Sequence, residues 1–358
     1  CPPVELWVAA LRACPAVGRP GERRPLVLDD HNRLYLHRYW EYESRLSARI
    51  LERAGAPPGD LDDGRLRAAI RRQFTGCSGP GTDWQEVAVA VALLKRFAVI
   101  TGGPGTGKTT TVARILAVWE EVTQGRATRV LLAAPTGKAA ARLKESLRPG
   151  AGLPAPAAGS GPASAREVYT LHRLLRPVVG TPLFRHNAEN PLPVDLMIVD
   201  EVSMVDLALM AKLVDALPGA ARLVLIGDRD QLASVEAGSV LGDICGRLRR
   251  PGFSPEFGEV LRRVTGQTVP PATGSRPLQD CIVELQTSRR FAAGSAIGEI
   301  SRAVNRGDGP GMVEILSRTG KGTVAWLEPQ AGAEGMAGLE ERLAEGYAAY
   351  PTEGGPEA

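Results

Sequence analysis

Apolar positions along this chain follow two rhythms, and the switches between them lay out its architecture. From Asp83 onward, short continuous apolar runs alternate with segments of helical period. "DWQEVAVAVALLKR" reads as a helix, "FAVIT" as a buried strand, and "KTTTVARILAVWEE" as the next helix. "RVLLAA" is a second strand, followed by a loop and helix in "PTGKAAARLKESL". "DLMIVDE" and "RLVLIGD" are two more strands, separated by the helix "DLALMAKLVDAL". Strands that are apolar throughout, each followed by a helix, predict an α/β fold: a parallel sheet with helices on both faces.

The first eighty residues have a different texture. "RLYLHRYW" (Arg33–Trp40) alternates like a strand, and in the following "EYESRLSARILERAG" Tyr42, Leu46, Ile50 and Leu51 share one face of a helix ending near Gly55. "CSGPGTD" then breaks the chain, so residues 1–80 are expected to form a small, mainly helical domain that serves as a docking surface. Three stretches interrupt the later alternation. Arg148–Ala165 is a Pro/Ala/Gly-rich loop read as mobile, Arg176–Val194 a proline-rich insertion with strand-like pieces, and Gly258–Asp280 a long connection. After Phe291 the pattern offers one helix, a short strand and a Pro/Gly/Glu-rich end. Residues 81–290 are thus expected to be the catalytic domain and 291–358 a linker with the incomplete start of another.

Composition narrows the class only slightly. The 358 residues are 44% hydrophobic and 23% charged, the make-up of a globular protein of two or three domains. No apolar run is long enough to cross a bilayer, and the Pro2-Pro3 opening does not read as a signal peptide. Cys1 in place of Met suggests a fragment or a processed chain. Five scattered cysteines without a CxxC, and four dispersed histidines, point to a reduced, cytoplasmic protein without a zinc site. A net charge of +3 is compatible with nucleic-acid binding and does not demand it.

The chemistry sits at strand ends. Gly102-Gly103-Pro104-Gly105-Thr106-Gly107-Lys108-Thr109 fits G-x4-G-K-[ST] between a strand and a helix. Glycines let consecutive N–H groups turn toward phosphate, the helix presents its positive end, and Lys108 reaches the β- and γ-phosphates of ATP. Gly103 through Thr110 are therefore the candidate nucleotide cradle. The Thr109 hydroxyl and Asp200, at the end of "LMIVDE", are the candidate Mg²⁺ ligands, and Glu201 the candidate base for the attacking water. Asp200 and Glu201 fall where open α/β sheets bind ligands.

These features define an NTPase and no more. Further motifs are "APTGKAAARL" (Ala134–Leu143), "TLHRLL" (Thr170–Leu175), "GDRDQLASVEAG" (Gly227–Gly238) and "LQTSRRF" (Leu285–Phe291). With "GGPGTGKT" and "VDEVSM", they resemble the ordered motifs of superfamily 1 helicases, closest to the RecD family, the α subunit of exodeoxyribonuclease V. The resemblance covers Trp84 to about Asp308 well and residues before it more weakly. It implies a P-loop, RecA-like motor domain with a small insertion near 176–194 that forms a pin or hairpin, with "FRHN" (Phe184–Asn187) inside it. Gln231 would sense the γ-phosphate, and Arg290 would act as an arginine finger, Arg289 being the alternative. Gln85 would read the adenine edge, since an amide can pair with both N6 and N7. Pro135, Thr136, Gly137 and Lys138 would hold a strand phosphate. Thr170 and His172 form the next DNA-contacting motif, His172 either stacking on a base or donating to a phosphate.

The same resemblance implies an ATP-dependent 5′–3′ helicase acting on single-stranded DNA in double-strand-break repair, with RecB-like and RecC-like partners and no membrane. It also implies a second motor domain with a Q-G-x-E motif and a final arginine motif. Neither is found, so the chain reads as stopping before that domain is complete, and weak nucleotide hydrolysis without unwinding is expected of it. Two other functions fit the motifs: a stand-alone or relaxase-linked helicase, and a DNA-bound scaffold with a regulatory nucleotide site.

Overall fold

The computed structural model describes residues 3–57, 61–75, 81–124, 126–148, 167–232, 234, 237–246, 252–272, 274, 276–287 and 294–318, with scattered positions from 324 to 348. The Arg148–Ala165 loop beyond its first residue, the strand expected after residue 318, and both Arg289 and Arg290 lie outside the described residues.

Cys1–Arg290 forms one compact unit. It opens with α1 (Val4–Ala13) and a small sheet of β1 (Val17–Gly18), β2 (Leu26–Leu28) and β3 (Leu34–Leu36), followed by α2 (His37–Gly55) and α3 (Asp63–Gln73). Then come α4 (Trp84–Leu94), β4 (Phe97–Gly102), α5 (Lys108–Val122), β5 (Val130–Ala134) and α6 (Gly137–Ser146). Next are β6 (Val168–Thr170), α7 (Leu171–Leu175), β7 (Leu196–Val199), α8 (Leu207–Asp215) and β8 (Arg222–Gly227). The unit closes with α9 (Val240–Cys245), α10 (Pro255–Thr265) and β9 (Ile282–Leu285). In the second unit, Phe291–Ala358, the described helices are α11 (Ala296–Arg306) and α12 (Gly309–Arg318), where the sequence promised one.

The main sheet runs β6-β5-β7-β8-β4-β9, and every pair in it is parallel. The four expected strands form its centre, and β6 and β9 extend it at the edges. Alternate residues feed opposite layers. Ala98, Ile100, Ile198 and Ile226 pack with α3, α4, α5 and α10, whereas Phe97, Val99, Met197 and Leu225 pack with α2, α7 and α8. Both faces are covered, which is why these strands are apolar without alternation.

Of the first eighty residues, α2 and α3 pack directly on this sheet. Leu46 and Ile50 of α2 join the core beside Leu209 and Leu213. Buried Arg53 donates to the carbonyls of Ala221 (2.8 Å), Leu217 (2.9 Å) and Pro218 (3.0 Å), the chain leaving α8. Burial lowers the Arg53 pKa, and these carbonyls supply its hydrogen bonds.

Three elements differ from the sequence reading. The strand expected over Arg33–Trp40 stops at Leu36, because helically spaced contacts take over: His37 meets Glu41 at 3.2 Å and Tyr39 meets Tyr42 edge-on. Leu51, placed on the apolar face, is exposed. The first third of the Gly258–Asp280 connection belongs to helix α10, which starts at Pro255. Ser254 caps it by accepting from Phe257 N, Pro255 sits in its first turn, and Gly266 ends it at φ +78°.

Candidate functional site

β4 delivers the chain into the glycine loop. Gly105 and Gly107 sit at φ +76° and +88°, a region other residues rarely adopt. The Thr106 hydroxyl closes the turn by donating to Gly103 O (2.8 Å). Lys108 opens α5, and its ammonium donates to Gly102 O (2.6 Å) and Gly103 O (3.3 Å), so its charge is held at the mouth of the loop. A cleft of about 480 Å³ opens here, lined by Gly103 through Thr110, Asp200, Glu201 and Gln231. One face of α6 completes its wall.

The sheet order explains this convergence. β4 and β7 flank β8, so their carboxyl ends bring the loop, the acidic pair and the segment after β8 to one crevice. Asp200 Oδ1 accepts from Glu201 N at 2.9 Å. Burial pushes the Asp200 pKa up to about 6; the Glu201 N–H and the Lys108 charge pull the other way. Glu201 itself sits at φ +53°, an unfavourable backbone for a residue with a side chain. Gln231 sits at hydrogen-bond limit from the Ser203 hydroxyl (3.5 Å). The segment carrying it is tied to the sheet edge by Arg229, which donates to Glu284 of β9 at 3.1 Å. The two residues stand 55 positions apart, and no spacing in the sequence marks them as a pair.

Thr109 and Asp200 offer a hydroxyl and a carboxylate in one cleft, hard oxygen donors suited to magnesium. A carboxylate kept partly protonated by burial is also one that a divalent cation would ionise.

Gln85 has a different place from the one expected. It is buried on α4 behind the loop and is not among the cleft-lining residues. Its amide NH₂ donates to Thr106 O (3.1 Å) and its carbonyl accepts from Arg114 of α5 (2.8 Å). The Arg114 guanidinium lies 4.1 Å over the Phe74 ring. A Cβ on Gly107 would come within 2.0 Å of the Gln85 amide nitrogen, so glycine is required there twice over. Both ends of the Gln85 amide are engaged, and the geometry makes it a brace for the loop. Gln85→Ala is therefore expected to cost about 1–3 kcal/mol in thermal unfolding and to weaken ATP and GTP binding alike. Loss of ATP-over-GTP preference at unchanged stability would restore the adenine reading.

The strand-contact candidates fall at the other edge. Pairing of Ala134 with Thr170 places Pro135–Lys138 and Thr170–His172 side by side at the carboxyl ends of β5 and β6. Thr136 and Thr170 cap α6 and α7, accepting from Ala139 N and Arg173 N at 3.2 Å each. A hydroxyl that accepts a cap bond keeps its own proton to donate. Gly137, Lys138 and His172 are exposed. The insertion forms a small hairpin, with Pro177 bridged to Phe184 and Val178 N donating to Leu183 O (2.9 Å). Its aromatic residue is not at the tip: Phe184 packs beside the His172 ring, under Lys212, while Val179 beside Gly180 is 98% exposed.

Fold and cleft together define a P-loop nucleotide-binding α/β protein. The protein-family model described as an AAA domain matches residues 85–237. The RecBCD enzyme subunit RecD of Haemophilus influenzae is 38% identical over 88% of this chain and 50% of its own length. That of Mycolicibacterium smegmatis is 39% identical over 91% of this chain and 51% of its own. The ATP-dependent RecD2 DNA helicase of Deinococcus radiodurans is 37% identical over 58% of this chain and 25% of its own. Over nearly all of its length the chain is similar to these RecD subunits. It spans about half the length of the RecD subunits it matches. Among the described residues no helix is long and apolar enough to cross a membrane.

Proposed function

We propose that this chain carries the first motor domain of an ATP-driven helicase subunit that translocates along single-stranded DNA. The observation behind this reading is the sharing of one sheet by a glycine-loop cleft and a pair of capped turns. The ends of β4, β7 and β8 line a nucleotide cleft, and the ends of β5 and β6 carry capped turns with free donors. Backbone-directed donors of that kind grip a strand without reading its sequence, as a translocating motor requires.

In this reading the loop amides and Lys108 hold the triphosphate, and Glu201 takes a proton from the attacking water. Magnesium, held by Thr109 and Asp200, would neutralise charge on the β- and γ-phosphate oxygens. Gln231 reports whether the γ-phosphate is present. Arg290, or Arg289, supplies positive charge to it in the transition state, an effect worth about 10³–10⁵ in rate. Pro135–Lys138, Thr170 and His172 hold the DNA strand, and the hairpin over 176–194 lies beside them. The domain scheme is 1–80 for docking, 81–290 for the motor and 291–358 leading toward a second motor domain. Relatives named as RecBCD enzyme subunits support RecB-like and RecC-like partners; 5′–3′ polarity, work on broken duplex ends and a cytoplasmic place belong to the same proposal through the resemblance of the motifs.

The test is ATP hydrolysis by the full-length protein with and without single-stranded DNA, beside a Lys108→Ala control. Strong stimulation that disappears in the control is expected. Hydrolysis indifferent to DNA would overturn the motor reading in favour of a scaffold with a regulatory nucleotide site.

A further inference from the structure

Helix α6 forms one wall of the nucleotide cleft, and it does so with a single face. Ala139, Arg142, Leu143 and Ser146 all line the cleft, at the i, i+3, i+4, i+7 spacing that stacks side chains along one side of a helix. Of these only Arg142 carries charge. Leu143 is buried and anchors the helix in the core, whereas Arg142 is exposed toward the cleft. No carboxylate or carbonyl among the described residues forms an ion pair or hydrogen bond with its guanidinium. The other cleft cation, Lys108, is held by the carbonyls of Gly102 and Gly103. A free guanidinium on the wall of a phosphate-binding cleft has the fork geometry to take two phosphate oxygens at once.

We propose that Arg142 is a nucleotide-binding residue that contacts the γ-phosphate of ATP and thereby makes α6 a direct reader of the nucleotide state. The proposal rests on the reading of the cleft as an ATP site. A phosphate contact at the γ end is favoured over base or ribose because, apart from α6 itself, the cleft that Arg142 lines is walled by the glycine loop, Asp200, Glu201 and Gln231. Its charge is also among those that lower the proton affinity of Asp200. The same helix begins at the Thr136 cap, one turn and a half away from Arg142 along a rigid element. Loss of the γ-phosphate would release one face of α6 while its first turn still faces the strand edge, which links the two sites through ten residues.

The test compares two probes on the full chain: a non-hydrolysable ATP analogue with magnesium, and ADP with magnesium. Arg142→Ala is expected to weaken the analogue about 10- to 100-fold, the worth of a charge-assisted hydrogen bond, and ADP by no more than about twofold. Arg142→Lys should recover part of the loss. Being exposed, the position tolerates both changes, and an unchanged melting temperature checks this. Equal weakening of both probes would place Arg142 on the base, ribose or inner phosphates and overturn the proposal. So would no weakening of either. Lys108→Ala separates the two levels. If it weakens both probes while Arg142→Ala weakens neither, only the present inference fails. If it too changes nothing, the ATP reading of the cleft fails and this inference with it.

Discussion

Glu201→Gln is expected to lower the rate of ATP hydrolysis by about 10²–10⁴-fold while leaving nucleotide affinity within a few-fold of the parent. The expectation starts from the backbone. Glu201 is held at φ +53°, a conformation that costs a side-chain-bearing residue roughly 1–2 kcal/mol. Its own N–H is fixed by Asp200 Oδ1 at 2.9 Å, so the neighbouring carboxylate enforces the turn. A strained residue held this way over a phosphate-binding cleft points its carboxylate where an extended continuation of β7 would not. Glutamine keeps the size and the backbone but cannot accept a proton at neutral pH. Binding, which is proposed to rest on the loop amides and Lys108, should therefore survive, and the deficit should appear in kcat rather than KM. Single-turnover hydrolysis alongside nucleotide titration checks it. A variant that hydrolyses ATP at the parent rate would remove Glu201 from the role of base. Arg142→Ala should show the opposite pattern, with binding lost first.

The central strands were legible in the sequence because burial on both faces leaves them apolar throughout, as in "FAVIT" and "LMIV". The edge strands were not. β6 is three half-buried residues and β9 carries Glu284, so neither shows a clean period. α10 was hidden inside a stretch read from Gly258 as a connection, although Pro255 just before it is a residue that starts helices when it stands in the first turn. α12 begins Gly-Pro-Gly and hid in the same way. The convergence of the glycine loop and the acidic pair in one cleft was legible because each follows a strand that is apolar throughout. Gln85 shows the limit of that argument. Its distance from the loop was visible, but the direction of its amide is set by Arg114, twenty-nine residues further on, which no spacing rule connects to it. Arg142 was hidden for a related reason. Its neighbours Ala139 and Leu143 look like a core stripe, and only the sheet order turns that stripe toward the cleft.

Asp200→Asn should abolish magnesium-dependent hydrolysis and, at pH 7.5, make the nucleotide-free protein more stable. Both follow from one property of the site. The carboxyl's pKa stands at about 6 in the folded chain against 3.8 in the unfolded one, with burial the largest cause. Below about pH 4 both states are protonated, and the group's favourable contribution to the fold is fully present. Because the folded pKa is the raised one, that contribution is lost as pH rises through 6, and at neutral pH a partly buried charge opposes folding. At about 1.4 kcal/mol per tenfold change in proton affinity the full cost is roughly 3 kcal/mol, and partial solvation reduces it to the order of 2 kcal/mol. Asparagine keeps the acceptor for Glu201 N and carries no charge, so it escapes the cost. The expected gain is a few degrees in Tm at pH 7.5, shrinking as pH falls from 7 to 5. Thermal unfolding of parent and variant across that range is the check. A variant less stable than its parent at pH 7.5, or a gap indifferent to pH, would mean the carboxylate is well solvated or well paired. The stability sacrificed at Asp200 is the counterpart of its proposed role. A carboxylate desolvated at the mouth of a phosphate cleft is costly while the cleft holds no cation, and the same desolvation strengthens its hold on a divalent cation that arrives with the nucleotide.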